Sequence, residues 1–536
     1  MVAEANVERT SGAGERAKLA GRAGIVGLGT LASRVLGLGR DVSLAAVFTR
    51  DETDAFFVAF TLPNMLRQIL GEGAVSSAVL PVLSAKLERE GDEAGRAFFA
   101  RIRGLSLLAL AIATALGMIF ARPLCELFAS GYHARPGEFE RTVQLTRVVF
   151  PYIFFMGSAA LGMAALNAKK KFAVAAFAPG LLNVALIVAT FALPAVLVAR
   201  GIDRVQALAI GALVGGLLQV VVQWPALRQI GYFLRPILDF KDSGVRDALR
   251  RLGPIMIGIG IYYVDLAISR RFLSELGVGA QSYFTWAMRL CDFPQGIFVM
   301  ALSTAALPSL SVLAARGEKD EVAKTFAHGM RLALFVAIPA SVALIMLGEP
   351  IVSTIFERGE FDAKAASETA RALAWQGGAI WTVAAVRQTV PVFYALGDTC
   401  TPVIVSAIDL LAFIGLAVWL RGPLGHVGVS VAVAGSSAIQ MILLVLLLRS
   451  RIGAIGGREL FASFARTTGA SLVGGIGGWA TARLLEAPAG AGAMARALPG
   501  LAGGVVFVAL FTLASYGAGG KEMDVLAAAL KRRILR

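Results

Sequence analysis

The 536-residue chain is 57% hydrophobic and 16% charged, with a mean hydropathy of +0.71, whereas soluble domains carry about a quarter charged residues. The apolar residues gather in blocks of about twenty or more, which marks a polytopic membrane protein and excludes a secreted enzyme, a nucleic-acid-binding domain and a disordered scaffold. The formal net charge of +15 sits in short loops between the blocks, where it orients the chain in a bilayer rather than contacting nucleic acid.

In chain order the blocks run over 23–48, 54–85, 103–121, 144–167, 172–199, 205–224, 248–271, 281–313, 327–348, 370–396, 401–420, 426–448, 462–485 and 495–518. Each is long enough, at about 1.5 Å per residue, to cross a hydrocarbon core of about 30 Å, so the expectation is about fourteen transmembrane helices. Strands of a barrel would alternate over about ten residues instead. The polar first 22 residues, and Arg34 and Arg40 within the first block, predict no cleavable signal peptide. Basic residues cluster in alternate loops: Lys86, Arg89 and Arg96, then Lys169, Lys170 and Lys171, then the segment 225–251, then Lys531, Arg532 and Arg533. The opposite loop at 349–368 is acidic, with Glu349, Glu357, Glu360, Asp362 and Glu368. That asymmetry predicts both termini on the cytoplasmic side of the cytoplasmic membrane. Cys125, Cys291 and Cys400, like His133, His328 and His426, are scattered without ligand spacing, so neither a metal nor another cofactor is expected.

An internal repeat is visible. The strings AVLPVLS at 78–84 and AALPSLS at 305–311 place Pro81 and Pro308 at an offset of 227 residues, and Pro123 and Pro350 share that offset. The expected organisation is two parallel six-helix repeats with the substrate site at their interface. An N-terminal lobe would span 1–224, an inter-lobe linker 225–247 and a C-terminal lobe 248–448. Two extra helices at 449–518 and a basic tail at 519–536 would stand outside the repeat.

Ionisable side chains interrupt several blocks: Arg34, Arg40, Asp41, Asp54, Arg67, Glu72, Asp265, Arg289, Asp292, Arg387 and Asp409. A central arginine facing lipid costs at least about 2.5 kcal/mol, so these groups face one another or a wet cavity. Arg34 and Asp41, and Arg289 and Asp292, share helix faces and serve equally as structural ion pairs. The arginines come from both halves, which predicts a shared cationic cavity of Arg34, Arg40, Arg67, Arg289 and Arg387. A guanidinium fork suits a phosphate, so the substrate is expected to be anionic and phosphate-bearing. Asp41, Asp54, Glu72 and Asp292 are the expected gate or ion-pair acids, and Asp265 with Asp409 a possible cation site. Pro63 and Pro294 are expected to bend their helices, and GGIGG at 474–478 reads as close helix packing.

The string Ser33-Arg34-Val35-Leu36-Gly37 through Arg40-Asp41, then Thr53-Asp54-Ala55-Phe56-Phe57, Leu62-Pro63-Asn64, Arg67 and Gly71-Glu72-Gly73-Ala74, resembles the bacterial lipid II flippase family, also called MurJ or MviN. Phe150-Pro151-Tyr152, Ala178-Pro179-Gly180-Leu181-Leu182-Asn183 and Leu307-Pro308-Ser309-Leu310-Ser311 follow in family order. The resemblance implies two six-helix lobes of the multidrug/oligosaccharidyl-lipid/polysaccharide exporter superfamily. It also implies a groove for a polyprenyl tail in the last two helices and alternating-access transport of a lipid-linked peptidoglycan precursor. The family's cavity positions match Arg34, Arg40, Asp54, Arg67 and Arg289, and Arg387 stands where a basic residue is usual. Gln68 and Met288 depart from the family pattern, and the residues around Asp409 depart from a sodium-site pattern known in some members. The expected partners are therefore lipid II or a similar polyprenyl-diphosphate glycan and the membrane lipids, and the protein is read as a transporter rather than an enzyme. Export of another polyprenyl-linked glycan is the alternative within the superfamily. Multidrug export is the other, but drug exporters favour acidic and aromatic cavities.

Overall fold

The structure, a computed structural model, describes residues 24, 27–67, 74–239, 241–296, 300–486, 492–519 and 522–523. The chain is an all-helical polytopic membrane protein, with no strand among the described residues. The described residues of the apolar blocks fall mainly on helix. Seven helical stretches are long and apolar enough to cross a bilayer among the described residues: Gly91–Ile119, Glu138–Ala168, Gln206–Gln229, Lys319–Met346, Cys400–Leu424, His426–Ile452 and Ala493–Gly517.

Two compact units divide the chain, residues 1–264 and 265–536. The division falls inside one helix, Ser243–Ser274. The first unit begins with α1 (27–47) and α2 (Arg50–Arg67). A cap separates them: the Thr49 amide donates to Glu52 Oε2 at 2.8 Å, one half of the Thr-x-x-Glu arrangement at a helix N-terminus. Then follow α3 (Ala74–Arg89), α4 (Gly91–Ile119), α5 (Ala121–Ala129), α6 (Glu138–Val149) and α7 (Tyr152–Ala168). The chain continues through α8 (Phe172–Phe177), α9 (Gly180–Ala192), α10 (Pro194–Val198), α11 (Gln206–Gln229) and α12 (Ser243–Ser274). The second unit contains α13 (Ala280–Pro294), α14 (Met300–Ala315), α15 (Lys319–Met346), α16 (Gly348–Phe356), α17 (Ala363–Gly378) and α18 (Ile380–Ala395). It ends with α19 (Cys400–Leu424), α20 (His426–Ile452), α21 (Gly457–Leu484) and α22 (Ala493–Gly517).

Some blocks are not single helices. The stretch 172–199 is α8, α9 and α10, because Pro179 caps α9 and Pro194 opens α10; a ring without an N–H starts a helix but does not continue one. The stretch 370–396 is α17 followed by α18, joined at Ala379 after the pair Gly377-Gly378. Pro63 lies within α2, whereas α13 ends at Pro294.

In the first unit α7 is central, packing on α2, α3, α4 and α11, with α9 on the far side of α11. Phe98, Phe99 and Ile102 of α4 meet Leu161 and Ala165 of α7 in a core that also buries Tyr232. In the second unit α21 and α22 form a close antiparallel pair that packs on α15 and α16. Gly474 and Gly478 permit that approach. A Cβ at 478 would lie 2.6 Å from the Gly503 carbonyl oxygen, and one at 474 would lie 2.8 Å from that of Phe507. The GGIGG run is therefore a helix-crossing surface.

Candidate functional site

The expected site residues belong to both units, and Glu72 lies outside the described residues. In the first unit, α1 presents Arg34 and Arg40, both half-buried. Arg40 is held on three sides. Its Nε and Nη2 donate to Asp41 Oδ1 at 3.0 and 2.7 Å, and its Nη1 donates to Asn183 Oδ1 of α9 at 3.0 Å. Asn183 in turn donates from Nδ2 to the Ser33 carbonyl at 3.0 Å. One amide thus braces the α1 backbone and the Arg40 fork together. A guanidinium has five N–H donors, so two on Arg40 are left for another acceptor.

Asp54 is fully buried on α2. Arg135, from the turn between α5 and α6, brings Nη1 to 3.7 Å from Asp54 Oδ2 and donates to both Glu138 oxygens at 2.8 and 3.0 Å. Its guanidinium also lies 5.0 Å from the centre of the Tyr132 ring. The same end of the unit carries further ion pairs. Arg204 donates to both Glu52 oxygens at 2.7 and 2.9 Å, and Arg141 bridges Asp51 at 2.6 Å and Asp203 at 2.7 Å. Although partial burial opposes it, the Thr49 hydroxyl and Arg141 hold the Asp51 carboxyl below its ordinary value of 3.8. At the other end of α2, Arg67 donates from Nε to Asn64 Oδ1 at 3.0 Å.

In the second unit, Arg289 and Asp292 are paired as their spacing predicts, Nη1 to Oδ2 at 3.9 Å, with side chains 40% and 51% exposed. That separation is too long for a hydrogen bond. Arg387 is half-buried on α18. Asp265 of α12 and Asp409 of α19 lie within electrostatic reach of each other, and the Ser436 hydroxyl of α20 donates to the Val433 carbonyl at 3.3 Å. Each of these two carboxylates has a buried Oδ1 that accepts no hydrogen bond among the described residues. Among the described residues no group of three or more His, Cys, Asp or Glu side chains is placed to hold a metal ion. Two carboxylates suit a single monovalent cation or a shared proton better than a divalent ion, which takes six or more oxygen ligands.

Three polar residues complete these arrangements without having been predicted from the sequence. Asn183 is an amide in an otherwise apolar block, a signal that polar side chains in lipid need partners. Arg135 lies between α5 and α6, outside the apolar blocks. Arg270 lies at the end of the 248–271 block and is buried in the second unit, donating from Nη1 to Gln281 Oε1 at 2.9 Å and Thr285 Oγ1 at 2.7 Å.

A family model described as Lipid II flippase MurJ matches residues 44–513. A lipid II flippase MurJ of Burkholderia cenocepacia is 35% identical over 429 residues, covering 79% of this chain and 82% of its own length. A probable lipid II flippase MurJ of Bdellovibrio bacteriovorus is 33% identical over 441 residues, covering 81% and 83%. Among solved structures, a lipid II flippase MurJ in an inward closed conformation matches with a TM-score of 0.73 at 23% identity, over 92% of this chain and 99% of that one. An inward-facing multidrug resistance MATE family transporter of the MOP superfamily matches at 0.63 and 18% identity, over 79% and 96%. The fold is common to all three.

Proposed function

The chain belongs to the lipid II flippase MurJ family, and we propose that it moves lipid II from the inner to the outer leaflet of the cytoplasmic membrane by alternating access. Its diphosphate is bound by Arg34, Arg40 and Arg289, with Arg67 and Arg387 adding positive charge. The observation that carries this reading is the contrast between two arginines. Arg40 is oriented by Asp41 and Asn183 with donors to spare, and Arg289 is 40% exposed with the Asp292 carboxylate 3.9 Å away. Oriented but incompletely neutralised guanidinium groups are what a diphosphate needs. Partial neutralisation also keeps the head group releasable.

Asp54 and Arg135 form the gate pair in this scheme, with Asp41, Glu72 and Asp292 as the remaining acids that exchange partners between states. Asp265 and Asp409 would hold one monovalent cation or share a proton, relieving the repulsion between two carboxylates. The lobes follow the sequence repeat, with α21 and α22 guiding the polyprenyl tail and both termini on the cytoplasmic side. A membrane potential, negative inside, favours outward movement of a net negative head group by about 2.3 kcal/mol per charge per 100 mV. Collapsing the potential in sealed vesicles is expected to slow transport, and an unaltered rate would exclude that driving force.

Complementation of a cell depleted of its own lipid II flippase tests the assignment. The wild-type chain is expected to restore growth and outer-leaflet lipid II. Restored growth without translocated lipid II, or no restoration by a correctly inserted protein, would move the substrate to another polyprenyl-linked glycan.

A further inference from the structure

A second basic cluster lies in the first unit, on α4 and at the end of α11. After Arg103, α4 runs uncharged from Gly104 to Ile119, and α11 runs uncharged from Gln206 to Leu227 before Arg228. Arg103 and Arg228 are thus the charges that bound two neighbouring apolar runs. They also meet at one ring: Arg228 stands 4.8 Å and Arg103 5.6 Å from the centre of Phe233, which packs edge-on against Trp224 at 5.7 Å. Aromatic side chains beside cations at the end of an apolar helix mark the membrane–water interface.

The cluster is built, not incidental. The segment after α11 is strapped to α4: the Ile237 amide donates to the Ala100 carbonyl at 3.0 Å, and Arg103 Nη1 donates to the Leu234 carbonyl at 2.7 Å. Gly104 has no side chain because one would collide with the Ile237 carbonyl. Neighbouring cations have acid partners. Arg96 pairs with Asp92 at 2.8 Å, Arg101 with Asp239 and Asp242 at 3.1 and 3.2 Å, and Lys169 with Asp92. Arg103 and Arg228 have no carboxylate within ion-pair distance among the described residues. Trp224, Arg228 and Phe233 are exposed, as are Leu108 and Val221 farther along the same helices. Arg103 and Trp224 also line a cavity of about 30 Å³ between α4, α7 and α11. That volume suits one water and not an acyl chain, so a hydrocarbon ligand would lie on the outer surface.

We propose that Arg103 and Arg228, ordered by Phe233 and Trp224, bind the phosphate of an anionic glycerophospholipid of the surrounding leaflet, whose acyl chains lie over Leu108 and Val221. The two guanidinium groups supply positive charge that the protein leaves uncompensated, and the adjoining apolar surface selects a lipid over a soluble phosphate. By the charge asymmetry of the loops this is the inner leaflet. The site does not depend on which substrate the protein transports.

Native mass spectrometry of the full chain released from detergent, with phosphatidylglycerol, phosphatidylcholine or glycerol 3-phosphate added, tests the proposal. The wild type is expected to retain one phosphatidylglycerol more tightly than phosphatidylcholine, with no displacement by glycerol 3-phosphate. Arg228→Gln, at an exposed helix end, is expected to weaken that retention about fivefold, and Arg103→Gln to add a similar loss, from about 1 kcal/mol per surface cation. Arg451→Gln, at a cation already paired with Asp398 at 3.1 Å, is expected to bind like the wild type. Equal retention of the two lipids, or phosphatidylglycerol binding unaffected by Arg228→Gln, would overturn the site. Displacement by glycerol 3-phosphate would reduce it to an anion site without lipid selectivity. Should Arg103→Gln fail to fold, the wild-type comparison and Arg228→Gln still decide.

Discussion

Arg135 stands 3.7 Å from Asp54, joining a loop after α5 to a carboxylate on α2 that has no solvent exposure. A buried acid that loses a paired cation is strongly destabilised, by about 3–5 kcal/mol where the pair is fully desolvated. Arg135 is also bonded to Glu138, so its removal exposes two acids to each other. Arg135→Gln is expected to lower thermal stability in detergent substantially, and Asp54→Asn in the same chain to recover part of the loss. A double-mutant cycle on melting temperature measures the coupling; additive single effects would separate the two residues.

Asn183 links the Arg40 fork to the Ser33 carbonyl. Asn183→Ala removes both hydrogen bonds and is expected to cost about 1–3 kcal/mol of stability. It should also weaken binding of a lipid-linked diphosphate, because the Arg40 fork then keeps only its Asp41 anchor. Asn183→Asp keeps the acceptor for Arg40 but adds a negative charge, and is expected to weaken diphosphate binding more than it alters melting. Binding to the detergent-solubilised chain, followed beside thermal melting, separates orientation from stability.

Asp265 and Asp409 repel each other, and each keeps a buried oxygen without a hydrogen bond. If they hold a monovalent cation, sodium should raise the melting temperature of the wild type and leave Asp409→Asn unaltered. A shared proton gives the opposite pattern, with no sodium response and a melting temperature that depends on pH in the wild type alone. Identical responses of both chains to sodium and to pH would remove any ion from this pair.

The Asp51 link to Arg141 carries a pH signature. The folded carboxyl titrates below its ordinary value of 3.8, so its stabilisation is present above that value and is lost as the pH falls through the lower folded value. The melting difference between wild type and Asp51→Asn is therefore expected to be constant near neutrality and to shrink only below pH 3.8. A difference that disappears at mildly acidic pH would assign it to another group.

Much of the fold was legible because a bilayer demands long uncharged helices, and seven such stretches stand among the described residues, within the apolar blocks or overlapping them. The breaks were less legible. Hydropathy does not distinguish one helix from three when Pro179 and Pro194 interrupt an apolar run. Among the site residues, spacing set Arg289 three positions from Asp292, which lie 3.9 Å apart, but it paired Asp41 with Arg34, whereas Asp41 accepts from the adjacent Arg40. Periodicity within one helix cannot find a partner on another, which is why Asn183 and Arg135 emerged only from packing. Asp265 and Asp409, 144 positions apart, needed the same long-range information.

The central claim is that arginines from both units bind the diphosphate during translocation. The most direct measurement follows labelled lipid II across sealed vesicles containing the wild type, Arg34→Ala or Arg289→Ala at equal protein density, alongside binding of the same lipid in detergent. Each substitution is expected to reduce both translocation and binding by at least about tenfold, corresponding to about 1.5–3 kcal/mol for a lost hydrogen bond to a charged group, with melting temperature preserved. Wild-type binding and translocation by both folded variants would contradict the account.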